Sequence, residues 1–579
     1  MRDAMLPAAS IDRPTPAPAE SARAPHRWLK FGLIALIALA CVYPFTLNFP
    51  DPDLWGHVRY GQDWLAAGAL PRTATHTYTA VDYPWINHEN AAELLFALSY
   101  AAVGVPGMLI AKCLLGIGIL AAMAWTANRH QVSALATWTL LLLASTSMEA
   151  FFPLRPQLLS FAFCSLALVC LDRGFPEWPA QRQICFRWLW ALPVIFIGWV
   201  NSHGGFVAGL CIVGAVLLGR LIELFASEGF SAWRKAAHLA AIGLACVAAT
   251  AANPYGLGMH LWLWRTWGGA PPEISEWRPP MPDQPVFWPF VLLVAAGAAS
   301  LAATRRRRDW TQIAILALVT WQASLHLRHI AFVALLAGFW LPVHWQSALM
   351  RLRPKAGNRR PIEAPAPWLR AALGLGIVVG IALQSVGLAR RLASLPVLRS
   401  QYPVDALQFM ADHRVTGKTV VAFNWSQYAL AALAPEITVG FDGRFDTCYP
   451  QEAIDVHFDF LQGAGARRDR SPTAGAVDGR RALEYGAPDL VLTDRRCQPS
   501  VAVMRQETAR EDSAWTLLYS DSLAELWGRR SRYDDPTSPH YLPPEQRRFD
   551  LLAPDATVQW PALPARRDAH NEFDRLTEH

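Results

Sequence analysis

Apolar runs close to bilayer length recur along the first two thirds of the chain, and short basic clusters punctuate them. Runs at about 28–47, 106–127, 132–150, 157–171, 188–201, 204–223, 236–252, 286–303, 310–325, 330–349 and 368–389 predict eleven spans. The shorter run Ala91–Gly104 precedes one of these without room for a further crossing, so it predicts an interfacial helix. Basic residues fall on every second connection: Arg129, Arg173 with Arg182 and Arg187, Arg234 with Lys235, Arg305–Arg308, and Arg351–Arg360. By the positive-inside rule these connections and the amino terminus face the cytoplasm. The Ala- and Pro-rich residues 1–27 read as a disordered cytoplasmic tail. Ala38–Cys41 has the look of a signal-peptide cleavage site, but no other early anchor would then hold the loop that follows.

From about Tyr402 the pattern shortens to strands alternating with helices. Lys418–Phe423, Ile437–Phe441 and Asp489–Asp494 read as strands, and Ser426–Leu433, Gln451–Gln462 and Ser500–Arg510 as helices. Trp515–Tyr519 and Leu523–Trp527 predict a terminal hairpin. Such alternation predicts a small, largely parallel sheet in a soluble domain over 400–530, with 531–579 an extended or disordered tail. The fold class that results is a polytopic α-helical membrane bundle of about eleven spans (28–390, with a first outer loop over 48–105) carrying a C-terminal extracytoplasmic α/β domain. In a Gram-negative cell this is a multi-pass inner-membrane protein whose terminal domain is periplasmic.

Composition agrees with that picture and narrows the partners. Of 579 residues, 53% are hydrophobic and only 17% charged, and the 25 tryptophans suit interfacial belts. The net charge of +6 is spread beside apolar runs, so no nucleic-acid-binding face is expected. No C-x-x-C, G-x-S-x-G, H-E-x-x-H or phosphate-loop pattern occurs. Cys448 and Cys497 lie in the soluble part, either paired or as free thiols.

The densest chemistry lies between Phe49 and Glu93, where Asp51, Asp53, Trp55, His57, Trp85, His88 and Glu89 sit directly after the first span. Ionisable groups against a membrane span cost desolvation energy, which makes them functional candidates. The same alternation of sides brings further polar motifs to that face: Arg155-Pro156-Gln157, Asn201-Ser202-His203, Asn253-Pro254-Tyr255, Glu276-Trp277-Arg278 and His326-Leu327-Arg328-His329. Outer-loop polarity is the bland alternative. Moving a sugar off a lipid phosphate needs a carboxylate base, cationic or imidazole donors for the departing phosphate, and aromatic surfaces for the sugar ring. Asp51 or Asp53 fits the first role, Arg155, His203, Arg328 and His329 the second, and Trp55 and Trp85 the third. His57, His88, Gln157, Asn201, Asn253 and Tyr255 complete the candidate substrate-binding set. A divalent metal on Asp51, Asp53, His57 and Glu89 is left open, since the spacing matches no strong ligand pattern. In the soluble domain, Asp442 and Arg444 of Phe441-Asp442-Gly443-Arg444-Phe445-Asp446 follow a strand end, where they either bind an acceptor, dock onto the membrane core, or form a turn closed by an ion pair.

The phrases DPDLWGHVRYGQDWLAAGALP, PWINHENAAELLFAL, RPQLLSFAF, NSHGGF, NPYG and FDGRFDTCY resemble a group of bacterial membrane glycosyltransferases of the GT-C type. The resemblance covers most of residues 28–530. It implies a multi-span core, an acidic motif in the first outer loop with interfacial helices at roughly 55–67 and 89–103, and a polyprenyl-phosphate-linked sugar as donor. Carried onto this chain, it nominates Asp51 or Asp53 as the catalytic acid-base residue and Glu89 as a second acidic position. Related transferases usually show Asp-Glu where this chain has Asp-Pro-Asp. The acceptor implied is an envelope glycan, a lipid or a protein. A transporter of lipid-linked substrate and a non-catalytic assembly protein are the alternatives.

Overall fold

The computed structural model describes residues 27–176, 178–266, 273–352, 366–465, 468, 470–552 and 555–565. The expected amino-terminal tail and part of the connection expected to be the last cytoplasmic one, Arg359 and Arg360 included, lie outside them.

The membrane part is built of α1 (Arg27–Val42), α2 (Leu54–Ala67), α3 (Asn90–Arg129), α4 (Ala134–Met148), α5 (Gln157–Gly174), α6 (Leu192–Val200), α7 (Phe206–Glu228), α8 (Trp233–Ala249), α9 (Leu257–Thr266), α10 (Phe287–Ala303), α11 (Trp310–Leu325), α12 (Ile330–Trp340), α13 (Pro342–Leu352) and α14 (Pro367–Ala393). Each expected apolar run is helical, but only six stretches among the described residues are long and apolar enough to cross a bilayer, or seven if the pair Leu327–Trp340 and Pro342–Arg351, bent by 64°, is one span. The difference from eleven is one of helix length: Phe186–Val200 and Phe287–Ala303 are shorter apolar helices, and left-handed Gly229 (φ 59°) divides Phe206–Ala249 into two helices packed on each other. The expected break after Ala91–Gly104 is present as a kink in α3, where Gly104 takes φ 60° and ψ −169° just before Pro106. Of the six stretches, α14 is the least covered by protein, with Leu375, Val378 and Leu383 all more than 60% exposed, as a lipid-facing helix requires.

After α14 the chain forms β1 (Pro396–Leu398), α15 (Val404–Asp412), β2 (Gly417–Val421), α16 (Phe423–Leu433), β3 (Ile437–Val439), α17 (Gln451–Gln462), β4 (Leu490–Asp494), α18 (Gln498–Thr508), β5 (Trp515–Asp521), β6 (Ala524–Arg529), β7 (Arg548–Leu551) and β8 (Thr557–Gln559). Strands β2 to β7 make one sheet in the order β3-β2-β4-β6-β5-β7. It is mixed rather than largely parallel. The β5–β6 hairpin enters antiparallel to β4, whereas β2 pairs in parallel with both β3 and β4. Short connections permit only antiparallel neighbours, which is why the hairpin sets the sense of that half.

Two contacts tie this domain to the first outer loop. Thr77 bridges in parallel to Val439, so the loop extends the sheet beyond β3. Helix α16 packs on α2. The segment expected as an extended or disordered tail contributes a third, since Trp55 donates to the Pro561 carbonyl; β8 pairs antiparallel with β1, and Trp560 and Leu542 are buried in the main core. Burial of one large aromatic side chain is worth about 2 to 3 kcal/mol, enough to hold a short segment in place.

Candidate active site at one end of the helix bundle

Asp51 and Asp53 lie on the turn between the first helix and α2. The Asp51 carbonyl accepts from Leu54 N at 3.1 Å, and its carboxylate accepts from Asp53 N at 3.0 Å, so the backbone is wound tightly before the helix begins. Both acids therefore stand at a helix amino end, where the peptide dipoles favour negative charge. Arg155, on the turn before α5, reaches across to them. Its Nε is 3.1 Å from Asp51, its Nη2 2.5 Å from Asp53 and its Nη1 2.6 Å from Glu276. Burial drives the Asp51 carboxyl up to about 6 against the pull of Arg155. Burial also acts to discharge Arg155, but Asp51, Glu276 and Asp53 outweigh it and hold its guanidinium far above the usual range. Asp51 is only 6% exposed and is a structural anchor; the Asp53 side chain keeps 22% of its surface open.

Beside this triad lies an imidazole and carboxylate cluster carried by α2, the start of α3 and the turn before α7. His57 Nδ1 is 3.4 Å from Glu93, whose other oxygen accepts from Asn87 at 2.5 Å. Glu89 lies 3.7 Å from His203 Nε2 and 4.0 Å from His88 Nε2. His88 is stacked on Trp262 of α9 at 5.7 Å. The Gly205 N–H donates to His203 Nδ1 at 3.0 Å, which leaves the ring proton on Nε2, toward Glu89. Burial, with the charges of Arg328, His88, Arg155 and His57, keeps His203 neutral by pushing its pKa far down. For His57 burial acts in the same direction, but the Glu93 hydrogen bond and the charges of Glu89, Glu93 and Asp53 prevail and raise it to about 8. His57, Glu89 and Glu93 present one ligand atom each within 4.8 Å of one another, a nitrogen and oxygen set that suits zinc or manganese. The structure thus divides the expected ligand set: Asp51 and Asp53 face Arg155, and only His57 and Glu89 join this group.

Arg328 connects the two halves. Its guanidinium lies over the Trp277 ring at 4.4 Å, within Coulombic reach of Glu276, Arg155 and Glu89. No carboxylate pairs with it among the described residues, in contrast to Arg155. His329 stands edge-on to Trp277 at 6.2 Å, and its buried Nδ1 has no hydrogen-bond partner among the described residues.

The remaining candidates serve the framework. Trp55 is 1% exposed, among Tyr402, Tyr428 and Trp560, and donates to the Pro561 carbonyl at 2.8 Å, so its ring is no open platform for a sugar. Trp85 is buried between Tyr60 and Arg444. Asp442 and Arg444 form a fully buried ion pair at 2.7 Å, with Tyr449 donating to Asp442 at 2.6 Å and Arg444 donating to the Thr75 carbonyl at 2.7 Å. The turn closed by an ion pair is the geometry observed, with Arg444 also reaching the loop at Thr75. Gln157 donates to the Phe151 carbonyl, Asn201 to the carbonyls of Ile197 and Ala252, and Asn253 to those of Thr250 and Gly256. Tyr255 holds the loop by accepting from Asn87 N at 2.9 Å.

The sequence places Glu93 and Glu276 in the polar stretches of this face without a role, and leaves Gln427 out of the site. Glu276 sits in the polar motif Glu276-Trp277-Arg278, whose expected side, shared with Arg155, was the readable signal. Gln427 had none, because it belongs to the soluble domain. Only glycine admits it: a Cβ on Gly56 would meet Gln427 Oε1 at 1.9 Å, and one on Gly443 would meet Asp53 Oδ1 at 2.2 Å and Gln427 Nε2 at 2.5 Å. The soluble domain is therefore in contact with the site's most accessible aspartate. Gly443→Ala is expected to displace Asp53 and lower turnover about a hundredfold. Gly465→Ala, with open space around its Cβ, is the control in the same turnover assay.

No protein-family model matches the chain, and no curated protein matches it. Two crystal structures of ArnT from Cupriavidus metallidurans are similar in chain path. The form bound to undecaprenyl phosphate is 13% identical with a TM-score of 0.49, over 90% of this chain and 99% of that one. The apo form is 14% identical with a TM-score of 0.47, over 86% and 97%. At these scores the likeness carries no argument about residues or chemistry, and the site stands on its own geometry.

Proposed function

We propose that the chain is a membrane glycosyltransferase of the GT-C type that moves a sugar from a polyprenyl-phosphate donor to an envelope glycan, lipid or protein on the outer face. The observation that carries this reading is the meeting, at one end of the bundle, of an accessible aspartate with an arginine that no carboxylate pairs among the described residues and a neutral imidazole presenting its N–H.

In this reading Asp53 takes the proton of the acceptor hydroxyl as its oxygen attacks the anomeric carbon. The bond from that carbon to the phosphate oxygen breaks, and polyprenyl phosphate departs with the electron pair. Arg328 and His203 Nε2–H receive the negative charge that develops there. Arg155 is saturated by Asp51, Asp53 and Glu276, so it orients the acids rather than binding phosphate. If a divalent ion is held by His57, Glu89 and Glu93, it supplies further positive charge beside the phosphate. Glu89 is the second acidic position, close to His203 and His88.

A deletion strain tests the reading. The expected result is accumulation of one polyprenyl-phosphate-linked sugar together with loss of one sugar from an envelope glycan, lipid or protein, read by mass analysis. Unchanged lipid-linked sugars and unchanged envelope glycans would refute it.

A further inference from the structure

The helices that frame the acidic site carry a polar cavity at their opposite ends. It has a volume of about 130 Å3 and lies among the far ends of α3, α5, α7 and α12 and the start of α11, with Thr126, Trp178, Arg220, Arg307 and Gln312 in its wall. On α5 the acid end begins at Gln157 and the cavity is reached at Leu168, about 16 Å away at 1.5 Å per residue. Arg129, Arg173 and Arg305–Arg308 gather at this end of the bundle.

The acids here are already matched. Asp172 holds Arg129 at 2.5 Å and His130 at 2.6 Å, Asp309 holds Arg220 at 2.5 Å while capping α11 through Gln312 N at 3.1 Å, and Glu223 shares Arg220 at 3.0 Å and accepts from Thr311 at 2.9 Å. What is unmatched are donors. Arg220 is 2% exposed and its Nε has no hydrogen-bond partner among the described residues, nor has the Thr126 hydroxyl, also 2% exposed. Arg307 stands exposed in the same wall with no carboxylate pairing it among the described residues. A buried donor without an acceptor costs free energy, and several around one cavity define the ligand that would relieve them. A cation would meet acids whose oxygens are already engaged by arginine, histidine and hydroxyl donors. A phosphate group, rich in acceptors and negatively charged, would meet the free donors, and the cavity is several times larger than one water needs.

We propose that this cavity binds a phosphate group, from the head of an anionic phospholipid in the adjacent leaflet or from free phosphate. Its position among basic residues at a helix-bundle end is where anionic lipid heads collect.

Native mass spectrometry of the full chain in detergent tests this with three probes: phosphatidylglycerol, phosphatidylcholine and inorganic phosphate. The variants are Arg307→Gln, at an exposed position, and Thr126→Val, which keeps side-chain shape. The expected result is retention of phosphatidylglycerol over phosphatidylcholine by roughly fivefold, reduced by a similar factor in each variant at an unchanged unfolding midpoint. Retention of inorganic phosphate alone, with the same loss in the variants, supports the site and assigns it to a soluble source. Equal retention of both lipids without phosphate binding, or variants that bind as the parent does, would overturn it.

Discussion

Asp53→Asn is expected to abolish sugar transfer, lowering turnover by about two to four orders of magnitude while membrane abundance stays at the parental level. The amide keeps the shape and can still accept from Arg155, but it cannot take a proton from an acceptor hydroxyl. Asp51→Asn is expected to act differently. Asp51 is buried and binds Asp53 N, so its loss should lower abundance along with activity. Mass analysis of the envelope glycan in a complemented deletion strain, with immunoblotting of the membrane fraction, separates the two. Normal glycan from Asp53→Asn at normal abundance would favour an assembly protein over an enzyme.

The second large effect is on stability. Arg444→Leu leaves Asp442 charged and fully buried, supported only by Tyr449 and the backbone N–H of residue 444, and removes the guanidinium from the Tyr60 and Trp85 rings. Breaking such a pair by removing one partner costs about 3 to 5 kcal/mol. The unfolding midpoint of the terminal domain, followed by tryptophan fluorescence of the purified chain, should fall by about 10 °C. Asp442→Asn combined with Arg444→Leu should recover part of that loss, because no buried charge is left alone. Burial acts to raise the Asp442 carboxyl, but Arg444 and Tyr449 prevail and hold it below the usual range. A depressed carboxyl contributes stability that is present above about pH 4 and lost as pH falls through the folded value. Acid sensitivity in that window should therefore weaken in Asp442→Asn.

The residues that were legible share one property: their side of the membrane follows from hydropathy and charge alone. Arg155, His203, Arg328 and Glu89 come from segments far apart along the chain, yet alternation of spans brings them to one end, and the contacts of Arg155 with Asp51, Asp53 and Glu276 are the structural form of that inference. The aromatic candidates were not legible in the same way. Trp55 and Trp85 stand in an outer loop where an open face and an interface look alike. Their burial is decided by Tyr428, Arg444 and Pro561, several hundred residues downstream. The same distance hid Gln427 and the ordered part of the C-terminal segment, since nothing local in 557–563 marks it as the partner of β1 and Trp55. The eleven expected spans against six or seven membrane-length helices reflect another limit: hydropathy counts apolar runs, whereas breaks at Gly229 and at the bend near Leu341 are backbone events.

The central claim is that groups from separate helices form one pocket for a phosphate-linked sugar. Binding of a polyprenyl phosphate to the purified chain, measured for the parent, Arg328→Gln and His203→Gln, tests it most directly. Each substitution is expected to weaken binding about tenfold, with Asp53→Asn binding as the parent does. Parental affinity in both Arg328→Gln and His203→Gln would contradict it.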